Sequence, residues 1–273
     1  MCLVAFALNS HPAWPLIVLA NRDEWLTRPS ADAAWWPDAP DCFGGRDLEA
    51  GGSWMLLNRR GRLVVLTNDP RGARAPGQRS RGELVTGLAR HPGPLEPAMA
   101  ELVGGDARYA GFHLLAIDWR NGRPYAMVAS NTSPDSAAVR LDEGVHTLTN
   151  APLDTPWRKA NGLGRTLAAG LGSAQALPID AWLRAMATDR WPNPDSDSDI
   201  SKRSVMTPAE PAGPLALPFV AATTPSGYGT RVSSIVAVDH AGGIRFDEWH
   251  WAPAVSPPRW SRRIATRRQT HAL

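Results

Sequence analysis

Apolar positions along the chain fall first into short runs, then into helix-spaced stretches, then into short runs again. CLVAFALN and PLIVLANR are rich in Val, Ile and Leu and flank SHPAW, whose turn chemistry predicts a β-hairpin. SWMLLNRRGRLVVLTN predicts a second hairpin, turning at Arg59-Arg60-Gly61. AGFHLLAIDWRNGRPYAMVAS is the cleanest hairpin pattern, with Asn121-Gly122 as its turn. GVHTLTN predicts a further strand, and TRVSSIVAVD, HAGG and IRFDEWHW a final strand–turn–strand. Between these lie helical patterns. SRGELVTGLAR starts with a serine cap and sets Leu84, Val85 and Leu88 on one face. LEPAMAELVGG, closed by glycine, TPWRKANGLGRTLAAGL and IDAWLRAMA follow the same period. Strand pairs, helices and strand pairs again predict an α+β fold with antiparallel sheets. No repeat or linker interrupts the order, so residues 1–273 read as one domain.

Three stretches break the pattern. DEWLTRPSADAAWWPDAPDCFGGRDLEAGG is irregular and reads as a long loop, of the kind that usually carries function. Residues 192–214, rich in Pro, Asp and Ser, read as a mobile loop. From about residue 259 the chain reads as a basic, solvated tail.

Composition narrows the function. The 273 residues are 43% hydrophobic and 20% charged, enough apolar content for a sizeable core. The formal net charge of +3 comes almost wholly from arginine, since Lys159 and Lys202 are the only lysines. The arginines are scattered until the tail and do not interleave with aromatics, so no nucleic-acid partner is expected. Cys2 and Cys42 form neither a disulfide framework nor a zinc ligand set, which suits a reducing cytoplasm and predicts no metal or other cofactor. The N-terminal apolar run lacks a basic lead and is a poor signal peptide. No run approaches 18 apolar residues, so no transmembrane segment is expected.

Candidate chemistry collects at strand ends. Cys2 opens the first strand, and Asn21, Arg22, Asp23 and Glu24 close the second. Thr67-Asn68 and Thr149-Asn150 each close a strand, and Gly229-Thr230-Arg231 opens a late one. One asparagine at a strand end is an ordinary turn residue. Two TN pairs together with an N-terminal cysteine match what amide cleavage needs: a nucleophile, a base and oxyanion donors. Cys2 is small enough for Met1 to be removed, which would leave a thiol and an α-amine on one residue. Their ordinary pKa values, about 8.5 and about 8, make proton exchange between them nearly thermoneutral. The amine can therefore serve as the base. A nearby arginine would favour the thiolate, an aspartate would hold the ammonium, and an asparagine amide would donate to the oxyanion. The other templates are missing. No histidine falls in a triad signature, no G-x-S-x-G occurs, and CFGGRDLEAGG lacks the spacing of a phosphate loop.

MCLVAFALN, LANRDEW, GGRDLEAGGSWMLLNRRGRLVVLTN, SRGELV and YGTRVSSI together resemble the NRDE family, also called the transport and Golgi organisation protein 2 family. The resemblance covers nearly the whole chain. It implies the layout of N-terminal-nucleophile cysteine hydrolases: a four-layer αββα sandwich of two antiparallel sheets. Their choloylglycine hydrolase and penicillin V acylase group implies Cys2 as nucleophile, Arg22 and Arg231 as the arginines, and Asn68 and Asn150 as the asparagines of the site. Those enzymes space arginine and aspartate as R-x-x-D, whereas Arg22 and Asp23 are adjacent here, so Asp23 or Glu24 fills the acidic role. Asn21, Glu24, Arg46, Asp47 and Trp54 are the expected substrate-side residues. Trp14, Trp25, Trp35, Trp36 and Trp54 suggest a flat, aromatic pocket. The implied function is hydrolysis of a linear amide of a small molecule. The alternative is a haem, acyl-CoA or lipid carrier that uses the same pocket without turnover.

Overall fold

Alternation along the first strand sets the layering. In β1 (Cys2–Leu8), Leu3, Ala5 and Ala7 face one core while Val4, Phe6 and Leu8 face another. The partner strand β2 (Leu16–Trp25) divides in the same way, Ile17 and Leu19 against Leu16, Val18 and Ala20. A strand buried on both faces must lie inside a stack of layers. The computed structural model describes residues 2–72, 78–103, 109–119, 122–132, 138–172, 176–188, 209–211, 215, 217–220 and 227–251, and the backbone of 260–267.

Two antiparallel sheets form the centre. The first has six strands: β10 (Gly144–Leu148), β1, β2, β11 (Tyr228–Val238), β12 (Ile244–Trp251) and β13 (Trp260–Arg267), in that order. The second has seven: β3 (Ser30–Trp36), β4 (Ala39–Asp47), β5 (Met55–Asn58), β6 (Arg62–Asn68), β7 (Phe112–Asp118), β8 (Tyr125–Ser130) and β9 (Val139–Arg140). Helices α1 (Gly82–Arg90) and α2 (Leu95–Val103) cover the outer face of the second sheet, with Leu84, Val85, Leu88 and Met99 in its outer core. Helices α3 (Arg158–Gly170) and α4 (Ile179–Met186) cover the first, through Ala160, Leu163, Leu167 and Trp182. A third core, including Phe6, Val18, Leu57, Val65 and Leu115, fills the space between the sheets. The result is the expected αββα sandwich, and all four predicted helices are present.

Two expectations fail. The stretch from Asp23 to Gly52 is not a loop, since it contains β3 and β4. β3 lies at the sheet edge, half-buried for most of its length, and its register with β4 shifts twice. Those irregularities break the alternation that marks a strand. The basic tail is not merely solvated either: the backbone of Trp260–Arg267 pairs with β12 as the sheet's last strand. Most of the 192–214 stretch, and Asn121 of the predicted turn, lie outside the described residues.

Candidate active site

The register of β1 on β2 sets Cys2 opposite Arg22. By the alternation above, Cys2 and Arg22 fall on the inter-sheet side, and Asn21 and Asp23 fall on the helix side. Cys2 opens into a cavity of about 500 Å³, whose lining also includes Arg22, Asp23, Asp47, Trp54 and Asn68.

The two TN pairs meet, although 82 residues separate them. The Thr67 hydroxyl donates to the Thr149 carbonyl at 2.5 Å, and the Asn150 side-chain amide donates to the Asn68 carbonyl at 2.6 Å. The Cys2 backbone N–H donates to Asn150 Oδ1 at 3.1 Å. Asn150 is thereby fixed in one orientation, its oxygen toward an N–H and its nitrogen toward a carbonyl. These bonds join the end of β6 in one sheet to the ends of β1 and β10 in the other. Asn68 lines the cavity, whereas Asn150 is engaged with the nitrogen of Cys2.

Arg22 is 4% exposed and spans the gap between the sheets. Its guanidinium lies 4.1 Å from the Trp54 ring centroid, 3.8 Å from Asp47 and 3.9 Å from Glu24. Trp54 fits there because position 45 is glycine: a Cβ on Gly45 would lie 2.3 Å from the indole ring. Asp47 is the anchor of this wall. It accepts Arg28 Nε at 2.7 Å and the backbone N–H groups of Glu49 and Ala50. Those bonds outweigh its burial and hold its carboxyl below the usual range.

On the helix side, Asp23 is 3% exposed and accepts the Thr230 hydroxyl at 2.6 Å. Burial pushes its carboxyl up, against the positive charges of the chain's amino terminus and Lys159. Asp23 is thus the acid of the helix side, bonded to Thr230, and Glu24 the acid beside Arg22.

Burial also pushes the Cys2 thiol up; the amino-terminal charge, the Asp23 N–H and Arg22 oppose this but do not prevail. The expected arginine-acidified thiol is therefore not found. Arg231 is not among the residues that line the cavity. It falls in a register shift of β11 between Thr230 and Val232, and its Nη1 donates to the carbonyls of Trp25, Leu26 and Arg28. Arg46 also stays outside the cavity, paired with Asp38 at 2.7 Å and stacked on Trp36. Asn21 pegs the Met186 and Pro218 carbonyls and accepts the Ser233 hydroxyl. Of the five early tryptophans, only Trp25 and Trp54 line the cavity. Trp14 packs on the helix-side core, Trp35 on Phe43, and Trp36 donates to the Gly44 carbonyl.

Sequence reasoning missed Arg28, Arg81 and Tyr228 on the cavity wall, and the buried Lys159, whose charge acts on Asp23. Only Lys159 carried a signal: it is one of two lysines, set on the apolar face of its helix.

The fold is similar to that of a solved N-terminal-nucleophile hydrolase. A Caenorhabditis elegans N-acylethanolamine-hydrolyzing acid amidase ortholog superposes with a TM-score of 0.50, over 86% of this chain and 92% of its own, at 10% identity. Residues 1–253 match the family described as Transport and Golgi organisation 2, and the chain belongs to that family. The Homo sapiens Transport and Golgi organization protein 2 homolog is 30% identical over 91% of this chain and 92% of its own length. The Mus musculus homolog is 28% identical over the same shares. A Drosophila melanogaster relative is 35% identical over 31% of this chain and 33% of its own. No helix among the described residues is long and apolar enough to cross a membrane.

Proposed function

We propose that this chain is an N-terminal-nucleophile cysteine amidohydrolase acting on a linear amide of a small molecule. The observation that carries the reading is the convergence at Cys2. Its thiol opens into the cavity, its nitrogen is held by Asn150, and Asn68 lines the same space. With Met1 removed, the nitrogen is a primary amine. That amine takes the thiol proton as the sulfur attacks the substrate carbonyl. The Asn68 amide donates to the oxyanion that forms. The α-ammonium then protonates the departing amine, leaving a thioester on Cys2. Water, deprotonated by the same amine, cleaves the thioester and releases the acid. A thiol kept neutral at rest suits this sequence, because the base is built into the nucleophile and no standing thiolate is needed.

The cavity wall supports a polar amide more than a flat apolar ligand. Arg22, Arg28, Glu24 and Asp47 line it, and no histidine does. The fold neighbour is an N-acylethanolamine-hydrolyzing acid amidase ortholog, which makes N-acylethanolamines a rational first substrate set. The test is intact mass to establish loss of Met1, followed by wild type and Cys2→Ala against N-acylethanolamines and N-acyl amino acids. Cys2-dependent release of free acid supports the reading. No such product, together with micromolar binding of haem or an acyl-CoA, would make this a carrier instead.

A further inference from the structure

Arg81 stands immediately before Gly82 at the start of α1 and makes no side-chain cap there. That end of a helix carries positive partial charge and disfavours a cation, so the helix itself gives no reason for an arginine. Two glycines fix its place. A Cβ on Gly52 would lie 2.6 Å from the Gly82 carbonyl carbon, and a Cβ on Gly82 would lie 3.1 Å from the Ser53 nitrogen. With glycine at both positions, the first turn of α1 rests directly on the link between β4 and β5. Ser80, Arg81 and Gly82 thereby form part of the cavity wall that Cys2 shares.

Charge is divided along that wall. The lining carboxylates Asp23, Glu24, Asp47 and Glu49 all come from residues 23–49, where Arg28 takes Asp47 at 2.7 Å and Glu49 at 3.2 Å. Residues 79–82 bring Arg79 and Arg81 to the lining and, among the described residues, no carboxylate. Arg79 is turned to Glu83, one helical turn on. Arg81 reaches elsewhere. Its Nη1 donates at 2.9 Å to the Gly111 carbonyl, which also accepts the Asp69 N–H at 2.9 Å. Asn68 is paired with Phe112 across β6 and β7, and directly opposed residues of antiparallel strands sit about 5 Å apart. The Arg81 guanidinium is therefore anchored beside the strand end that carries Asn68.

We propose that Arg81 is a specificity residue that binds a carboxylate of the substrate, and that the substrates are N-acyl amino acids rather than neutral amides such as N-acylethanolamines. The substrate assignment rests on the hydrolase reading above; carboxylate binding by Arg81 does not. The planar guanidinium presents parallel N–H donors that match the two oxygens of a carboxylate. Its place beside Asn68 suits a carboxylate a few bonds from the scissile carbonyl, as in an N-acyl-α-amino acid.

N-hexanoylglycine and N-hexanoylglycinamide have the same shape and differ in charge. Calorimetry on Cys2→Ala protein, in which the proposed nucleophile is removed, should show the glycine compound binding about tenfold tighter or more. Adding Arg81→Gln should abolish that preference and leave the affinity for the glycinamide within twofold. Equal affinities, no measurable binding of either compound, or a preference that survives Arg81→Gln overturns the assignment. A parallel loss of both affinities makes Arg81 a brace at Gly111 and overturns it too. If Arg81→Gln does not fold, Arg81→Lys, which keeps the charge without the fork, should cut the preference at least threefold; an unchanged preference overturns the assignment. In wild type, kcat/KM should favour N-hexanoylglycine by the same factor. Absence of turnover of any amide retires the hydrolase reading and leaves the calorimetry to decide Arg81.

Discussion

Asn150 Oδ1 accepts the backbone N–H of Cys2 at 3.1 Å, across 148 residues of chain. The same side chain donates to the Asn68 carbonyl, so one residue fixes both the nitrogen of Cys2 and the strand end that carries Asn68. Asn150→Leu removes both bonds and leaves buried groups unsatisfied. It should destabilise the fold by about 1–3 kcal/mol, read as a lower urea midpoint. Asn150→Asp keeps the shape, adds a negative charge beside Cys2 and loses the donor to Asn68. It should slow Cys2 alkylation at pH 8; an unchanged rate would separate Asn150 from the thiol's environment.

Asn68→Ala should reduce kcat about 100-fold or more with KM nearly constant, because the oxyanion exists only near the transition state. A matching loss in KM would assign Asn68 to ground-state binding. Steady-state kinetics on the first amide found to turn over settle it.

Both cysteine thiols are pushed up by burial, so neither should alkylate quickly at neutral pH. Cys2 should still react faster than Cys42, because it opens to the cavity while Cys42 is 1% exposed in the outer core. Arg22→Gln should slow Cys2 further by removing a positive charge that lowers its thiol. Time-resolved peptide mapping with iodoacetamide reports all three rates.

His113, in β7, lies 3.1 Å from buried Asp69. Burial nonetheless lowers it to about 4; Asp69 opposes the shift, and the Arg71 charge adds to it. The unfolded chain binds this proton near pH 6.5, so stability falls as pH drops from about 6.5 toward 4, by up to about 3 kcal/mol. Asp69, held below its ordinary range by Arg71 and Thr132, adds stability that is lost at still lower pH. His113→Gln should flatten the urea midpoint between pH 6.5 and 4. An equally steep profile in the variant would move the effect elsewhere.

Gly45→Ala should displace Trp54, whose ring occupies the space a Cβ would need. Overpacking of this kind costs about 1–3 kcal/mol. The stacking partner of Arg22 moves with it, so lower thermal stability and slower Cys2 alkylation should appear together.

The regular parts of the fold were legible because their apolar periods are clean. β1, β2 and the β5–β6 hairpin are buried nearly throughout, and each helix shows one apolar stripe. β3 and β4 were not legible, since prolines, aspartates and register shifts hide their alternation. That Cys2, Arg22, Asp23 and Asn68 come together at one cavity was legible, because they sit at strand ends whose neighbours fix their side. Arg231 lies outside the cavity lining, since a one-residue register shift changes what a side chain meets, and sequence does not announce it. The thiol's direction was missed for another reason: nearby charges can be read from residue types, but burial depends on the packed whole.

The stapling of the two TN pairs bears on the order of events during synthesis. Cys2 leaves the ribosome first, but its nitrogen partner lies at Asn150 and the strand that flanks Asp23 begins at Tyr228. These are contacts of very high sequence separation, which form late. In the finished sandwich the nitrogen of Cys2 is held between the sheet ends by Asn150. Cys2 acquires its amide, aspartate and arginine neighbours only when both halves of the chain have closed on each other, so its surroundings depend on the whole fold rather than on the first hairpin.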